Sequence, residues 1–436
     1  MKEWSHEVYS GKKTIGDIEI SGKRVFLRTD YNVPVVDNVI TDDLKIRKTV
    51  DTIKFLLKRG VKKIVIGTHL GRPEVCEDPV GMPKEGGVRV VVERLNQILK
   101  EEKIEVHFEF EYIKKEETEK QWAFIQNLRT LKIEKDGKDK YSKELLDSFI
   151  AKNCDVMVSD GFGVLHRKDY SVVGLPIEKV SGLLVDSEMQ GVSFLLQNSR
   201  PVDERSPTRV MRKDEMEKFV KSARSEANFK MLPERPVDLL IIGGCKLEDK
   251  IGLVKNLLGV ASNIFLGGLL ATPFDTKTRM SEISEIAEVS LQTGSSILLP
   301  IDYVMESMEV VSAKSITEKN IGKVRDIGPQ TEKMLEQVVM KSARVFWNGT
   351  LGMVEKKEFA HGTEAVLNAI RERKEELAQK KERGMICAGG GDTSGYIYQR
   401  GFASSFDYVF TGGGATLEAL EGKVLPGVEA LSNRTE

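Results

Sequence analysis

Cysteine is scarce in this chain, and the little there is has no pattern. The four residues, Cys76, Cys154, Cys245 and Cys387, form no C-x-x-C pair. Neither a zinc site nor a disulfide framework is therefore expected. Isolated cysteines in apolar runs are small buried hydrophobes, and a reducing compartment, the cytoplasm, is the expectation. An excess of either charge is missing too: 66 Lys and Arg face 67 Asp and Glu. That balance argues against a chain-wide nucleic-acid or membrane surface. No apolar run reaches membrane-spanning length, the opening MKEWSHEVYSGKK has no apolar signal core, and the closing SNRTE is neither a retention nor a peroxisomal signal. Three motifs are absent as well: the Walker A loop, a G-x-G-x-x-G after the first strand of a domain, and the protein-kinase set. A P-loop NTPase, a dinucleotide dehydrogenase and a protein kinase are disfavoured accordingly.

What is present is glycine in a particular place. Three apolar strands run into glycine-rich loops: Ile242-Gly243-Gly244-Cys245-Lys246, Ala388-Gly389-Gly390-Gly391-Asp392-Thr393 and Phe410-Thr411-Gly412-Gly413-Gly414-Ala415. A strand that breaks into glycines and then opens a helix lets backbone N–H groups and the positive end of the helix dipole approach a phosphate. Lys246 and Lys250, four apart, fall on one helix face and suit a transferring phosphoryl group. Asp392 suits a Mg²⁺ ligand or an N-cap for the following helix. Together the loops suggest a nucleotide polyphosphate with a metal.

At 436 residues, 40% apolar and 31% charged, the chain is expected to be globular with two or three domains. Short apolar strands at 25–27, 61–67, 122–125 and 155–158 alternate with helical patterns at 46–58 and 90–99. The pattern repeats with strands at 239–242, 264–266, 297–299, 345–347, 385–388 and 408–410. Strands alternating with helices imply parallel sheets, hence two doubly wound α/β domains whose ligands sit beyond the carboxyl ends of the strands. Between them, 186–236 is charge-rich and reads as a solvated connector with one exposed helix.

The first half has no glycine-rich phosphate loop. It places Arg28, Lys45, His69, Arg72, Arg129, His166 and Arg167 just after apolar strands. Arginine forks fit carboxylate and phosphate oxygens. With Asp30 and Asn32 the set suits a small phosphorylated acid bearing a hydroxyl. Singly, each arginine is as well read as a surface ion pair.

The chain resembles the phosphoglycerate kinase family over nearly its full length. The motifs are Arg28-Thr29-Asp30-Tyr31-Asn32-Val33-Pro34, Thr68-His69-Leu70-Gly71-Arg72-Pro73, residues 160–167, Gly243-Gly244-Cys245-Lys246 with Lys250, Trp347-Asn348-Gly349 with Glu355, residues 389–393 and 411–415, and Leu425-Pro426-Gly427-Val428, in family order. The resemblance implies Mg²⁺-dependent phosphoryl transfer between ATP and 3-phosphoglycerate. It also implies two Rossmann-like domains facing each other across a hinged cleft, in a cytoplasmic monomer with small-molecule substrates only.

Its implied organisation is a phosphoglycerate-binding domain (1–185), a connector with an insertion (186–235), a nucleotide-binding domain (236–420) and a C-terminal segment (421–436) returning to the first domain. Phosphoglycerate would be bound by Asp30, Asn32, His69, Arg72, Arg129 and Arg167. Nucleotide would be bound by Gly243, Gly244, Lys246, Lys250, Gly267, Asn348, Glu355, Gly389, Gly390, Gly391, Asp392, Thr393, Gly412, Gly413 and Gly414, with Asp392 on the metal. Lys45, Lys246, Lys250, Gly390 and Gly413 form the implied catalytic set.

The sequence departs from the family in four places. Lys45 stands where the family has an arginine, with Arg47 two residues on. Thr350 replaces a proline. Gln126 and Thr130 replace Glu and Phe. The connector is longer than the family needs by roughly thirty residues. A paralog with weakened catalysis that binds nucleotide or phosphoglycerate as a sensor or interaction protein is the alternative these departures leave open.

Overall fold

The computed structural model describes residues 6–73, 87–114, 116–196, 213–232, 235–244, 251–276 and 278–434. The chain forms two compact units, Ser5–Ser193 with Val424–Glu436, and Phe194–Lys423.

The N-terminal unit is built on six strands: β1 (Arg24–Thr29), β2 (Lys63–Gly67), β3 (Glu109–Glu111), β4 (Trp122–Ile125), β5 (Val156–Asp160) and β6 (Lys179–Ser181). Their order is β3-β4-β2-β1-β5-β6, and every pair is parallel. Strands β2 and β5 are buried throughout, as a sheet covered on both faces requires. Alternation along the strands feeds two cores. Val25, Leu27, Ile64 and Ile66 join one, and Phe26, Val65 and Met157 the other. The apolar runs foretold the four central strands. The edge strands were missed, because Glu109-Phe110-Glu111 and Lys179-Val180-Ser181 carry only one apolar residue each.

The C-terminal unit has β7 (Val237–Ile242), β8 (Ala261–Leu266), β9 (Ser296–Leu298), β10 (Arg344–Asn348), β11 (Met385–Gly389) and β12 (Tyr408–Phe410). They are ordered β9-β8-β7-β10-β11-β12, again all parallel. All six match expected strands. An antiparallel sheet of Asp302–Met305, Val310–Ser312 and Val324–Ile327 was not foreseen. Its strands are three or four residues long, too short to show an apolar period, and two of them carry charged side chains.

In both sheets the strand order reverses at one point. Crossovers from β1 and β7 go first to one side, and the chain later returns to lay β5 and β10 on the other. The carboxyl ends of β1 with β5, and of β7 with β10, therefore frame the crevices where a doubly wound sheet takes a ligand.

Two expectations are corrected. The helix read over 46–58 is two helices, Leu44–Lys48 and Val50–Lys58, interrupted at Thr49. Nor is the stretch 186–236 simply a solvated connector. Its start belongs to a helix, Leu183–Leu196, with Val185, Met189 and Val192 buried. Its end is fastened to the C-terminal unit: Leu299 N donates to Ala223 O at 2.7 Å, Asn228 Nδ2 to Ile297 O at 3.0 Å, and Lys230 N to Asn263 Oδ1 at 2.9 Å. Polar composition concealed this docking because it runs largely through hydrogen bonds to buried residues of the C-terminal unit, with Ala223 buried and Phe229 packed against the core. The part at 197–212 lies outside the described residues. After the second unit the chain returns to the first, where Gly427 N donates to Leu165 O at 2.8 Å and Ser432 N to Lys179 O at 2.9 Å.

Candidate active site

In the N-terminal unit, loops leaving β1, β2, β4 and β5 carry Asp30, His69, Arg129 and Arg167 respectively. The backbones after β1 and β5 nearly touch: a Cβ at Gly161 would lie 2.5 Å from Asp30 N. Asp30 is nearly buried, and its Oδ2 accepts from Lys45 Nζ at 2.7 Å. Burial alone would raise its pKa, but the Lys45 ammonium overturns this and brings the carboxyl down to about 2. His69 is 1% exposed, and neither ring nitrogen has a partner among the described residues. Burial, helped by Arg28 and Arg167, holds its pKa at about 3 against the pull of Asp30. The ring is therefore neutral near pH 7 and offers one donor and one acceptor.

Asn32 Oδ1 accepts from Gly71 N at 2.9 Å, and Arg129 NH1 donates to Gly71 O at 2.7 Å. The loop after β2 is thus held from two sides, with Arg72 exposed beside it. Arg167 is half-buried against His166. Six expected residues, Asp30, Asn32, Lys45, His69, Arg129 and Arg167, come together on the carboxyl-end face of this sheet.

Arg28 does not join them. It lies inside β1 rather than after it, fully buried, with Nε donating to Ser171 Oγ at 2.7 Å and NH2 3.5 Å from Glu134 Oε1. Arg47 does not stand in for Lys45 either. Two residues along a helix is a turn of about 200°, and Arg47 bonds Asp43 at 3.0 Å and Glu101 at 2.9 Å instead. Gln126 and Thr130 bond one another, Gln126 Nε2 donating to Thr130 Oγ1 at 3.2 Å.

Sequence reasoning gave no role to Asp160, the last residue of β5. It is fully buried, Oδ1 accepts from Leu184 N at 3.0 Å, and Oδ2 has no partner among the described residues. Burial pushes its carboxyl up to about 7 from an ordinary 3.8. The folded state therefore holds this proton more tightly than the unfolded chain. The stabilisation is complete below the unfolded pKa and is lost as pH rises through about 7. Asp160→Asn mimics the protonated acid. Its urea midpoint relative to wild type should rise between pH 5 and pH 8; a constant difference would contradict a titrating Asp160.

In the C-terminal unit the glycines permit backbone to lie on backbone. A Cβ at Gly243 would lie 2.1 Å from Thr350 O and 2.5 Å from Gly349 O, and one at Gly413 would lie 2.4 Å from Gly390 Cα. Gly390 has φ +112° and Gly349 +92°, conformations that favour glycine. Asn348 Nδ2 donates to Gly389 O at 2.7 Å and Gly349 N to Thr393 Oγ1 at 2.8 Å, which ties the loop after β10 to the loop after β11. Helices Gly391–Gln399 and Gly413–Leu420 begin directly from these loops, so their unpaired N–H groups face the carboxyl end of the sheet. Gly391 and Gly414 are exposed with open space beside them. Gly267 is buried against Leu351, where a Cβ would meet Cδ2 at 2.3 Å. Glu355 is exposed.

Asp392 is exposed at the second position of its helix, and the N-cap is Gly390. The N-cap reading of Asp392 is thus corrected: it lies two residues too far along. Lys246 and Lys250 lie outside the described residues.

A sheet whose glycine loops open helices, and a second sheet with Asp30, His69, Arg129 and Arg167 on the loops at its carboxyl ends, define a doubly wound α/β protein with two crevices of the kind that take a ligand. Comparison with known proteins makes this specific. The family model described as "Phosphoglycerate kinase" matches residues 15–203 and 216–423. Phosphoglycerate kinase of Fervidobacterium nodosum is 32% identical over 448 residues, covering 97% of this chain and 99% of that protein. Phosphoglycerate kinase 2 of Mus musculus is 31% identical over 460 residues, with 97% and 99% covered. The crystal structure of phosphoglycerate kinase from Pyrococcus horikoshii OT3 superposes with a TM-score of 0.70 at 23% identity, covering 96% of this chain and 98% of that one, and bears on the fold. The chain belongs to the phosphoglycerate kinase family and is an enzyme of the phosphotransferase class.

Proposed function

We propose that the loops after β1, β2, β4 and β5 hold 3-phosphoglycerate and that the glycine loops of the C-terminal unit hold Mg²⁺-nucleotide. The reaction is reversible phosphoryl transfer between ATP and 3-phosphoglycerate, giving ADP and 1,3-bisphosphoglycerate, in glycolysis and gluconeogenesis. The observation that carries the reading is the convergence of Asp30, His69, Arg129 and Arg167 from four successive loops of one sheet.

The attacking carboxylate is already ionised near pH 7, so no general base is needed. An oxygen–phosphorus bond forms to the carboxylate as the bond to the ADP oxygen breaks. What the protein supplies is position and charge. Arg129, Arg167 and Arg72 suit the substrate's phosphate and carboxylate. Asp30 and Asn32 accept from and orient its hydroxyl, and neutral His69 reads it without adding charge. Lys45, with Lys246 and Lys250, offsets the charge of the transferring group. Gly390 and Gly413 present N–H groups to it, Asn348 fixes their loop, and Glu355 takes the ribose. Asp392 fits a Mg²⁺ site: it is an exposed hard-oxygen donor with no bond partner among the described residues, and Mg²⁺ bound to nucleotide needs only one or two carboxylates. The metal, when bound, neutralises phosphate oxygens. Among the described residues no helix is long and apolar enough to cross a membrane. A cytoplasmic monomer with small-molecule substrates alone completes the reading.

The test is a coupled assay with ATP, Mg²⁺ and 3-phosphoglycerate. Turnover should require all three and fall about 100-fold in Asp392→Asn. Turnover no better than that of Lys246→Ala would overturn the reading.

A further inference from the structure

Lys45 sits on a helix of five residues, Leu44–Lys48. So short a helix does not hold its own position, and tertiary anchors must do so. Asp43, its N-cap, makes no side-chain cap bond. Two arginines take its carboxylate instead. Arg94, from helix Val88–Glu101, donates to Oδ2 through Nε at 2.9 Å and NH2 at 2.6 Å. Arg47 donates through Nε to Oδ1 at 3.0 Å. Arg47 also bonds Glu101 at 2.9 Å, and Arg94 NH1 bonds Gln97 at 2.9 Å. The Asp43 backbone carbonyl meanwhile accepts from Ile46 N at 2.9 Å and Arg47 N at 3.0 Å, so fixing Asp43 fixes the first turn.

The other end has its own anchor. Thr49 Oγ1 donates to Ile46 O at 3.0 Å and meets the buried Tyr31 hydroxyl at 2.5 Å. Between these anchors, Ile46 is fully buried and Lys45 points to Asp30. An exposed single ion pair carries little energy, but a carboxylate shared by two guanidinium groups, one of them through two nitrogens, is the networked geometry in which such pairs matter.

We propose that Asp43 and Arg94 form a positioning pair that sets the helix carrying Lys45, and thereby the ammonium that meets the transferring phosphoryl group. This rests on the reading of Lys45 as that contact. An arginine at position 45 would bring its own planar fork to define geometry. A lysine is a point charge on four methylenes, so its aim depends on where its helix starts.

The experiment is a double-mutant cycle of Arg94→Met and Lys45→Ala in the full chain, with kcat and both KM values measured. Arg94→Met should lower kcat about tenfold while each KM stays within about twofold. Arg94→Lys, which keeps the charge but not the fork, should recover part of that loss. In the Lys45→Ala background, Arg94→Met should cost nothing further. Losses that multiply, or an unchanged kcat in Arg94→Met, would overturn the positioning pair while leaving Lys45 in place. A wild-type kcat in Lys45→Ala would overturn the reading of Lys45 and the pair with it.

Discussion

Arg28→Met should destabilise the N-terminal unit by about 3–5 kcal/mol, the usual result of removing one partner of a buried ion pair. Arg28 and Glu134 are both essentially inaccessible to water. Glu134 also accepts from Ser171 N at 2.9 Å and from Ser171 Oγ at 2.5 Å. Without the guanidinium those two donors remain, but the charge has no counterion in a dry interior. Burial already raises the Glu134 carboxyl above its ordinary value, with Arg28 pulling the other way. Removing Arg28 must raise it further. A carboxylate whose folded pKa exceeds its unfolded one stabilises below the unfolded pKa and loses that contribution as pH rises. The deficit of Arg28→Met should therefore be smaller at pH 5 than at pH 8. Replacing both partners, as in Arg28→Met with Glu134→Leu, should recover most of the stability, since an apolar pair of similar volume is often neutral. Urea unfolding resolved by hydrogen exchange in β1 and β5 measures both variants against wild type. A stable Arg28→Met with a raised KM for 3-phosphoglycerate would show that Arg28 faces substrate after all.

Arg28 also marks where sequence reading stopped. Arg28, Arg129 and Arg167 look alike in the chain: each follows apolar residues and precedes a loop. Their difference lies in where each strand ends. β1 runs to Thr29, so Arg28 is inside the sheet, while Arg129 and Arg167 lie past the ends of β4 and β5. The central strands were legible because apolar runs and terminal glycines mark them. That ligands sit beyond the carboxyl ends followed from the alternation of strands and helices, while the positions of the crevices needed the strand order. The edge strands of the N-terminal sheet and the antiparallel sheet were not legible, since strands of three or four residues are too short to carry a periodic signal. Asp160 was invisible for another reason: Gly182 packs closely against it, where a Cβ would be 2.2 Å from Oδ1, and that contact joins the end of β5 to the residue after β6. Asp43 and Arg94 are likewise joined only by packing between helices.

Gly243→Ala should be the most damaging small substitution in the C-terminal unit. Its added methyl would sit 2.1 Å from Thr350 O and 2.5 Å from Gly349 O, and both obstacles are backbone. No rotamer change relieves that collision, so the loops after β7 and β10 must separate. Separation would disturb Gly243 N donating to Asn348 O at 2.8 Å and, beyond it, Gly349 N donating to Thr393 Oγ1. The disturbance thus passes from the first glycine loop to the second, which carries Asp392. Overpacking of this kind costs about 1–3 kcal/mol, and kcat/KM should fall about 100-fold, because displacements near 1 Å matter that much to a phosphoryl in transit. Gly391→Ala is the matched control. Its Cβ meets nothing within 4 Å, and alanine at the first helical position is no burden to the helix. That variant should keep its urea midpoint within about 0.5 kcal/mol of wild type. If phosphate approaches the helix start closely, its nucleotide KM should nonetheless rise. Equal loss of stability in the two variants would mean that these glycines serve only the fold. A stable Gly243→Ala with full activity would mean that the contact between the two loops is not maintained in solution. The two variants separate the roles a glycine can have in such a loop, since at position 243 it admits a neighbouring backbone and at 391 the space beside it is open.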